Sequence, residues 1–255
     1  MSAAEKDLTR RHLVETGDGS HSLYVPDLDE QYHSRHGAVQ ESLHVFLKMG
    51  LEPRTENSRE ELEPKTNESL RILEIGFGTG LNAWLTALHS QEIQIEYTGI
   101  EAYPLTQEEA STLNYVEQYS QTLKEGTHSP VSEKDLPKAA ALFTWLHETP
   151  WDAPSTHSDF PSFAVTKKHA RIEHFDLEYQ VHLVYFDAFA PEKQPELWTD
   201  TVFEKMFRLL APGGTLVTYS AKGAVRRTML AAGFEVEKVP GPPGKREMLR
   251  AKKPF

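Results

Sequence analysis

A glycine-rich segment directly after a short apolar run is the first feature of the sequence that could bind a ligand. It reads ILEIGFGTGLN, from Ile72 to Asn82, and Glu74 stands two residues before the first of its alternating glycines. A phosphate-binding P-loop needs lysine and then serine or threonine after its last glycine, whereas Leu81 and Asn82 follow Gly80. The dinucleotide fingerprint spaces its glycines G-x-G-x-x-G, which differs from strict alternation. The segment therefore fits neither nucleotide motif well.

The same arrangement, E-x-G-x-G-x-G, resembles the first motif of class I S-adenosyl-L-methionine-dependent methyltransferases. Glycines let the backbone turn tightly and approach the methionyl and ribose parts of that cofactor. Glu101, which ends the run IEYTGIE, would accept the two ribose hydroxyls, and Asp176 in RIEHFDL would accept from the adenine amino group. The cofactor-binding residues predicted in this way are Glu74, Gly76, Phe77, Gly78, Thr79, Gly80, Asn82, Glu101, Asp176 and Asp187.

A narrower resemblance rests on VYFDAFAPEKQPELW, from Val184 to Trp198, taken with LEIGFGTGLN, PGGTLVTYSAKGAVRR and GPPGKREML. These segments, which lie between about Ser20 and Lys252, are similar to the methyltransferase domain of the MnmC type. Two-domain members of that family carry a flavin-dependent oxidoreductase downstream. Because this chain stops at Phe255, it resembles the stand-alone form, and no FAD is expected.

The resemblance implies methyl transfer to the primary amine of 5-aminomethyl-2-thiouridine at the wobble position of tRNA. A protonated alkylamine has a pKa near ~10 and no lone pair for attack, so a group must favour the neutral amine. Asp187, at the end of a predicted parallel strand, is the candidate to orient the amine and take its proton. Glu41 is expected to share in holding the aminomethyl group. The alternative for Asp187 is a cap on the following turn.

The family resemblance also implies a substrate side. Aromatic and polar residues are expected to hold the flipped base, and Phe189 is a possible stacking platform, whereas Trp198 is expected to pack against a helix. Basic residues near the C-terminus are expected to contact phosphates of the anticodon stem. The predicted substrate-binding residues are Tyr32, His36, Gln40, Ser42, Phe189, Lys222, Arg226, Arg227, Lys245 and Arg246.

Only one segment of the chain has the positive charge that would attract a polyanionic partner. The whole chain has a net charge of -11, and this value taken alone argues against such a partner. Between Glu204 and Phe255, however, eleven lysines and arginines stand against four glutamates, so that segment carries +7 and the remainder -18. A basic tail on an acidic body could present a positive face to RNA, and scattered solubilising charges would explain it about as well.

Composition excludes several classes of site. The chain has no cysteine, which rules out disulfides, thiolate metal sites and cysteine nucleophiles. Its twelve histidines form no H-x-x-x-H or H-E-x-x-H pair, and no G-x-S-x-G elbow is present, so neither a metal site nor a serine hydrolase is expected. The N-terminal residues do not read as a secretory signal, and no apolar run approaches the ~18 residues of a membrane span. We expect a cytoplasmic protein that binds no membrane and needs no obligatory protein partner.

Alternating strand and helix patterns predict the elements that position these residues. RILEIG, IEYTGIE, HLVYFDAF and APGGTLVTYS read as strands, with helices between them, which predicts a parallel sheet. A helix is expected from about Leu105 to Tyr119, where Thr106 and Glu109 make a capping box. The predicted fold is α/β, a Rossmann-like class I methyltransferase fold with a mostly parallel doubly wound sheet, an antiparallel C-terminal strand and an N-terminal substrate-side extension.

One domain is expected over residues 1–255. It comprises an N-terminal extension over 1–50, a solvated loop over 52–69, and a core over 70–255 with an elaboration at about 125–165. Two other functions stay open. The chain could be a class I methyltransferase of a small molecule or a protein, which its overall acidity favours, or a non-catalytic module that binds S-adenosylmethionine or tRNA.

Overall fold

The computed structural model describes residues 7–54, 69–89, 93–124 and 131–255. Most of the predicted solvated loop, residues 55–68, lies outside the described residues. The described chain forms an eight-stranded sheet with helices on both faces and a separate three-stranded sheet near the N-terminus.

The strands are numbered in chain order. They are β1 His12–Glu15, β2 His21–Val25, β3 Glu30–Gln31, β4 Leu70–Ile75, β5 Ile95–Glu101, β6 Pro154–Thr156, β7 Phe163–His169, β8 Val181–Phe186, β9 Leu210–Thr218, β10 Glu235–Pro240 and β11 Glu247–Lys252. The α-helices are α1 Ala38–Ser42, α2 Leu81–His89, α3 Gln107–Ser111, α4 Tyr115–Lys124, α5 Leu136–Glu148, α6 Asp200–Leu209 and α7 Gly223–Ala231. A π-helix, Leu43–Leu51, continues α1, and 3-10 turns lie at Glu133–Asp135, Ile172–His174 and Pro195–Trp198.

The large sheet has the strand order β10-β11-β9-β8-β4-β5-β7-β6. The five central strands β9, β8, β4, β5 and β7 are parallel, while β11 runs antiparallel to β9 and β6 antiparallel to β7. This confirms the predicted α/β class with its antiparallel C-terminal strand. Strand β4 pairs with both β5 and β8, so the chain order reverses at its carboxyl end, which is where open α/β sheets bind ligands.

Two apolar clusters cover the two faces of the sheet. On β4, Ile72 belongs to one cluster and its neighbour Leu73 to the other, because successive side chains of a strand point to opposite faces. The first cluster includes the buried side chains of α2 and of the π-helix, such as Trp84 and Phe46. The second includes those of α6 and α7, such as Phe203. The sheet is therefore buried on both faces, which explains its nearly continuous apolar strands.

The N-terminal segment contributes more to the core than an extension would. Val45, Phe46 and Leu47 are buried, and a β-carbon at Gly50 would lie 3.0 Å from the side chain of Val217 on β9. The π-helix is thus a layer of the fold. Ahead of it, β1 to β3 are fastened by Arg11, whose guanidinium pairs with Glu109 at 3.1 Å and donates to the Tyr32 hydroxyl at 2.9 Å.

Several predicted elements differ in detail. The capping box of Thr106 and Glu109 is confirmed, but the predicted helix ends at Ser111, and a second helix starts at Tyr115. Helix α5, which lies in the predicted elaboration, packs in the core, since its Leu142 and Leu146 are fully buried. Trp84 also donates its indole N–H to Ala139 O at 2.8 Å. The sequence reading did not identify β1, β6 or β7. No described helix is long and apolar enough to cross a membrane.

Candidate active site

The glycine segment makes a tight turn at the carboxyl end of β4. Gly76 has φ of +87°, and a β-carbon there would lie 2.5 Å from the carbonyl oxygen of Asp187, so only glycine fits. The backbone N–H groups of Gly76 and Phe77 both donate to Ile100 O, at 3.1 and 2.9 Å. The turn is therefore locked between the ends of β5 and β8.

Glu101 ends β5 and holds the same turn from the side. Its carboxylate accepts from the Gly78 N–H and from the Tyr103 N–H, each at 2.9 Å. Glu101 is only partly buried and lines a cavity in front of the glycine turn. Each carboxylate oxygen can accept a further hydrogen bond, so the side chain can bind the hydroxyl groups of a ligand.

Two histidines that the sequence reading did not identify hold Thr79, at the tip of the turn. His33 Nε2 lies 2.7 Å from Thr79 Oγ1, and His147 Nε2 lies 3.2 Å from Thr79 O. Burial lowers the pKa of each histidine to about 4, so both imidazoles are neutral at physiological pH. They come from the N-terminal segment and from α5, and no local pattern links them to the turn.

Two acids and an amide lie at the centre of the site. Asn82 Nδ2 donates to Glu74 Oε1 and to Asp187 Oδ2, both at 2.8 Å. Burial raises the pKa of Asp187 to about 7, and the charge of Glu41 adds to the increase. Burial also raises the pKa of Glu74 well above its usual value, against the lowering effect of the hydrogen bond from Asn82. Asp187 can therefore exchange a proton near neutral pH, whereas Glu74 favours the neutral acid.

A cavity lies in front of these residues, at the carboxyl ends of β4, β5 and β8. Its apolar and aromatic lining includes residues that the sequence reading did not single out, among them Leu8, Tyr103, Ile172 and Leu197. Leu8 comes from the start of the described chain, and Ile172 from the turn after β7. They come together only in the fold, so the sequence carried no signal for them. The predicted residues that line it are Tyr32, Gly76, Phe77, Gly78, Thr79, Asn82, Glu101, Asp187 and Phe189.

The residues of this cavity fit S-adenosyl-L-methionine. The turn keeps its shape only because Gly76 has no β-carbon, which would clash with Asp187 O. The Glu101 carboxylate can accept hydrogen bonds from two hydroxyls. Asn82 lines the cavity, and its Oδ1 is buried with no hydrogen-bond partner among the described residues. Acidic groups beside an apolar lining suit a cationic ligand better than a phosphate. These residues would hold the cofactor between the glycine turn and Asp187.

Asp176 lies apart from the cavity, contrary to the prediction. Its carboxylate is exposed and pairs with Arg208 at 2.8 Å, and this hydrogen bond is the main reason why its pKa is lowered. The chain turns away after the 3-10 turn at Ile172–His174, so the residues that follow β7 into the cavity are Arg171, Ile172 and Glu173. A contact of Asp176 with an adenine ring is therefore not supported.

Glu41 and Lys245 form an ion pair beside the cavity, with 2.9 Å between Oε1 and Nζ. Glu41 is nearly buried, and its other oxygen accepts from the Ser34 N–H at 2.9 Å. Lys245 Nζ also lies 4.3 Å from the ring centroid of Tyr219. Lys245, which was predicted to contact phosphate, is thus ion-paired with Glu41, which was predicted to hold the amine.

The other predicted substrate residues are divided between the cavity and its surroundings. Tyr32 and Phe189 both line the cavity and contact each other edge to face, with ring centroids 5.0 Å apart. The His36 ring packs against Gly244, and Gln40 is exposed. Ser42 is buried, and its hydroxyl has no hydrogen-bond partner among the described residues.

The basic C-terminal segment is less free than its charge suggests. Lys222 pairs with Glu192, and Arg208, Lys238, Lys245 and Arg250 each pair with an acid. Arg226 and Arg227 line a shallow recess on α7 and β10, and with the exposed Arg246 they make no ion pair with any described residue. Among the described residues no group of three potential ligands could hold a metal ion.

Trp198 has the packing role that the sequence predicted. It is buried, with its ring centroid 5.0 Å from that of Phe186, and it donates its indole N–H to Phe189 O at 2.8 Å. The tryptophan therefore fixes the backbone of the segment that carries Phe189 over the cavity.

Comparisons with known proteins agree with this geometry. Residues 162–254 match the family described as S-adenosyl-L-methionine-dependent methyltransferase. The tRNA 5-methylaminomethyl-2-thiouridine biosynthesis bifunctional proteins MnmC of Cupriavidus metallidurans and Ectopseudomonas mendocina are each 33% identical to this chain over 240 residues. The matches cover 90% and 86% of this chain but only 32% and 31% of the relatives.

The fold has a counterpart among solved structures. A crystal structure of MNMC2 from Aquifex aeolicus superposes with a TM-score of 0.68 and 24% identity, covering 97% of this chain and 73% of that one. The chain spans about a third of the length of the curated relatives it matches. In sequence the chain is similar to S-adenosyl-L-methionine-dependent methyltransferases over residues 162–254 and to MnmC proteins over about a third of their length, and in fold it is similar to MNMC2.

Proposed function

We propose that this protein methylates the primary amine of 5-aminomethyl-2-thiouridine at the wobble position of tRNA, giving 5-methylaminomethyl-2-thiouridine. The observation that carries the proposal is the environment of Asp187, next to the glycine turn. Its carboxylate accepts a hydrogen bond from Asn82, and burial raises its pKa to about 7. The names of the MnmC relatives, which refer to biosynthesis of this nucleoside in tRNA, support the choice of substrate.

The residues of the site would act on the proton of the amine. When bound, S-adenosyl-L-methionine supplies an electrophilic methyl group. Deprotonated Asp187 would accept a hydrogen bond from the incoming ammonium and then take its proton, which frees the lone pair of nitrogen. Asn82 would hold the Asp187 carboxylate in place through its bond at 2.8 Å. Because Glu74 favours the neutral acid, only one negative charge needs to lie beside Asn82.

Tyr32 and Phe189 are suited to the base. Both rings line the cavity and contact each other edge to face, and together they border the space next to Asp187. A uracil ring taken out of the anticodon stack can lie against such an aromatic surface.

The RNA would be held outside the cavity by three arginines that make no ion pair with any described residue. Arg226 and Arg227 face a recess on α7, and Arg246 lies on the turn before β11. Contacts of arginine with phosphates give affinity that does not depend on sequence and that falls with salt. A tRNA substrate also agrees with the cytoplasmic location that the sequence analysis predicts.

The test is methyl transfer from labelled S-adenosyl-L-methionine to two tRNA preparations, one carrying 5-aminomethyl-2-thiouridine at the wobble position and one with unmodified uridine there. We expect label only in the first, recovered as 5-methylaminomethyl-2-thiouridine after nuclease digestion and mass spectrometry. Label on another nucleoside, or on neither preparation while a small molecule or protein is labelled, would reject the tRNA assignment.

A further inference from the structure

Glu41, Tyr219 and Lys245 form a compact cluster, called here the ammonium cluster. The Lys245 ammonium lies 2.9 Å from Glu41 Oε1 and 4.3 Å from the centroid of the Tyr219 ring. The Glu41 side chain is only 10% exposed, and the Ser34 N–H fixes its second oxygen at 2.9 Å. The carboxylate is therefore held at one oxygen by the Ser34 N–H and at the other by the Lys245 ammonium.

The ammonium cluster adjoins Asp187. The Tyr219 hydroxyl donates to the carbonyl oxygen of Ala188, the next residue, at 2.8 Å. The pKa of Asp187 is raised first by burial and then by the charge of Glu41, while the ammonium of Lys245 offsets part of the increase. Both charges of the ion pair thus lie within electrostatic reach of the acid that would take the proton of the substrate.

The chemistry of the cluster matches one class of ligand. A carboxylate attracts an alkylammonium group through a charge-assisted hydrogen bond, and an aromatic face attracts it through a cation–π contact. The lysine side chain ends in such a group, a primary amine on a methylene carbon, and so does an aminomethyl substituent on a pyrimidine. One site can therefore accept either of them.

The Lys245 side chain can leave Glu41 while the backbone of its turn stays in place. Residues 241–246 join β10 to β11, and within the turn the Lys245 N–H donates to Pro242 O at 2.9 Å. Pro243 and Gly244 are exposed, and Lys245 itself is 33% exposed, so its side chain can rotate into solvent without unpacking the core.

We propose that Glu41 and the face of Tyr219 form a binding site for a primary alkylammonium group, and that Lys245 fills this site as an internal substitute until the amine of the substrate displaces it. The proposal rests on the proposed function for the identity of the amine. It gives Lys245 a role other than phosphate contact, and it makes Glu41 a residue that touches the substrate.

The test uses two nucleosides that differ only in the group at issue, 5-aminomethyluridine and 5-hydroxymethyluridine. Binding of each is measured by equilibrium dialysis to protein saturated with S-adenosylhomocysteine. In Lys245→Met, affinity for the aminomethyl nucleoside should rise about tenfold if the open form is about a tenth of the wild-type population, because an internal competitor is removed. Affinity for the hydroxymethyl nucleoside should stay unchanged.

The matched control is Lys168→Met. The Lys168 side chain is 32% exposed and pairs with Asp152 at 3.5 Å, so the substitution removes a similarly exposed and ion-paired lysine outside the cluster. It should leave the affinity for both nucleosides as in the wild type. Adding Glu41→Gln to Lys245→Met should abolish the preference for the amine.

An opposite result would overturn the proposal. If Lys245 contacts phosphate instead, Lys245→Met weakens tRNA binding and leaves the affinity for the aminomethyl nucleoside unchanged. Uptake of S-adenosylhomocysteine shows that each variant is folded, and Lys245→Gln replaces Lys245→Met if the latter is not. Methyl transfer to tRNA by the wild type is scored separately. If it fails while Lys245→Met gains amine affinity, the proposed function falls and the ammonium site stands.

Discussion

The two halves of the site are built in different ways. The half proposed to bind the cofactor is formed by the glycine turn, residues 74–82, with Glu101 at the end of the next strand. The half proposed to bind the acceptor combines Glu41, Asp187, Tyr219 and Lys245, which are far apart in the chain. The first is mainly a backbone conformation fixed by nearby sequence, and the second is an electrostatic arrangement fixed by packing. Substitutions should therefore separate cofactor binding from turnover.

The largest effect is expected for Asp187→Asn, which tests whether the halves separate. Asparagine keeps the shape but cannot take a proton, so the rate of methyl transfer should fall about 10² to 10⁴-fold. Binding of S-adenosyl-L-methionine, measured by calorimetry, should stay within a few-fold of the wild type. Loss of both together would mean that Asp187 belongs to the cofactor half.

Gly76→Ala should damage both halves through the backbone. The added β-carbon would lie 2.5 Å from Asp187 O at φ of +87°, so the free energy of unfolding should fall by about 2 to 4 kcal/mol. Denaturant titration measures the change. Gly223→Ala is the control, because the nearest atom to its β-carbon is Arg227 Nη1 at 3.5 Å, and its stability should match the wild type.

Glu101 and Asp176 were predicted to bind the two ends of one nucleoside, and their substitutions should now diverge. Glu101→Gln removes an acceptor for the Gly78 or Tyr103 N–H and for a ligand hydroxyl, so cofactor affinity should fall about tenfold or more. Asp176→Asn only breaks an exposed pair with Arg208 and should leave that affinity unchanged. An equal loss of cofactor affinity in the two variants would indicate that Asp176 does bind the cofactor.

Arg226 and Arg227 extend the acceptor half onto the surface. If both contact phosphates, the double substitution to glutamine should reduce the slope of log affinity for tRNA against log salt by about two. Binding titrations at several salt concentrations measure the slope. Arg208→Gln serves as control because Arg208 is already paired with Asp176. An unchanged slope in the double variant would place the RNA elsewhere.

The smallest expected effect is a shift in pH dependence. Asp187 must be deprotonated to act, and burial gives it a pKa of about 7, so kcat/KM should rise with pH through that value. The charge of Glu41 adds to the elevation of this pKa, and Glu41→Gln should therefore move the rise to lower pH. An identical midpoint in the variant would show that the two acids are not coupled.

Local patterns sufficed for much of the fold. The strand patterns of RILEIG and HLVYFDAF and the capping box at Thr106 are short-range signals, and the structure contains those elements. Strand β7 was missed because its run FAVTKKH ends in two lysines and a histidine, which in isolation look like a polar loop. Lys167 is nevertheless buried there and donates to Leu146 O at 2.6 Å, at the end of α5. A long-range contact thus overrides the local polarity.

The same division applies to the site. Asp176 was predicted to accept from the adenine amino group, but the direction of the chain after β7 depends on packing, and its carboxylate lies outside the cavity. The charge of +7 counted for the C-terminal segment is correct, but acids distant in sequence pair with three of its cations, Arg208, Lys222 and Lys245. The number of charged residues can be read from the sequence, but only the structure shows which of them form ion pairs.

The sequence alone determined the alternating strands and helices and a turn that only glycines can make, because these follow from side-chain periodicity and from steric limits on φ. Only the tertiary structure decided that His33 and His147 hold Thr79, that Asn82 joins two acids, and that Lys245 lies against Glu41. Hydrogen bonds and ion pairs act over a few ångströms in space. No pattern of spacing along the chain can specify such neighbours until the sheet and its helices bring them together.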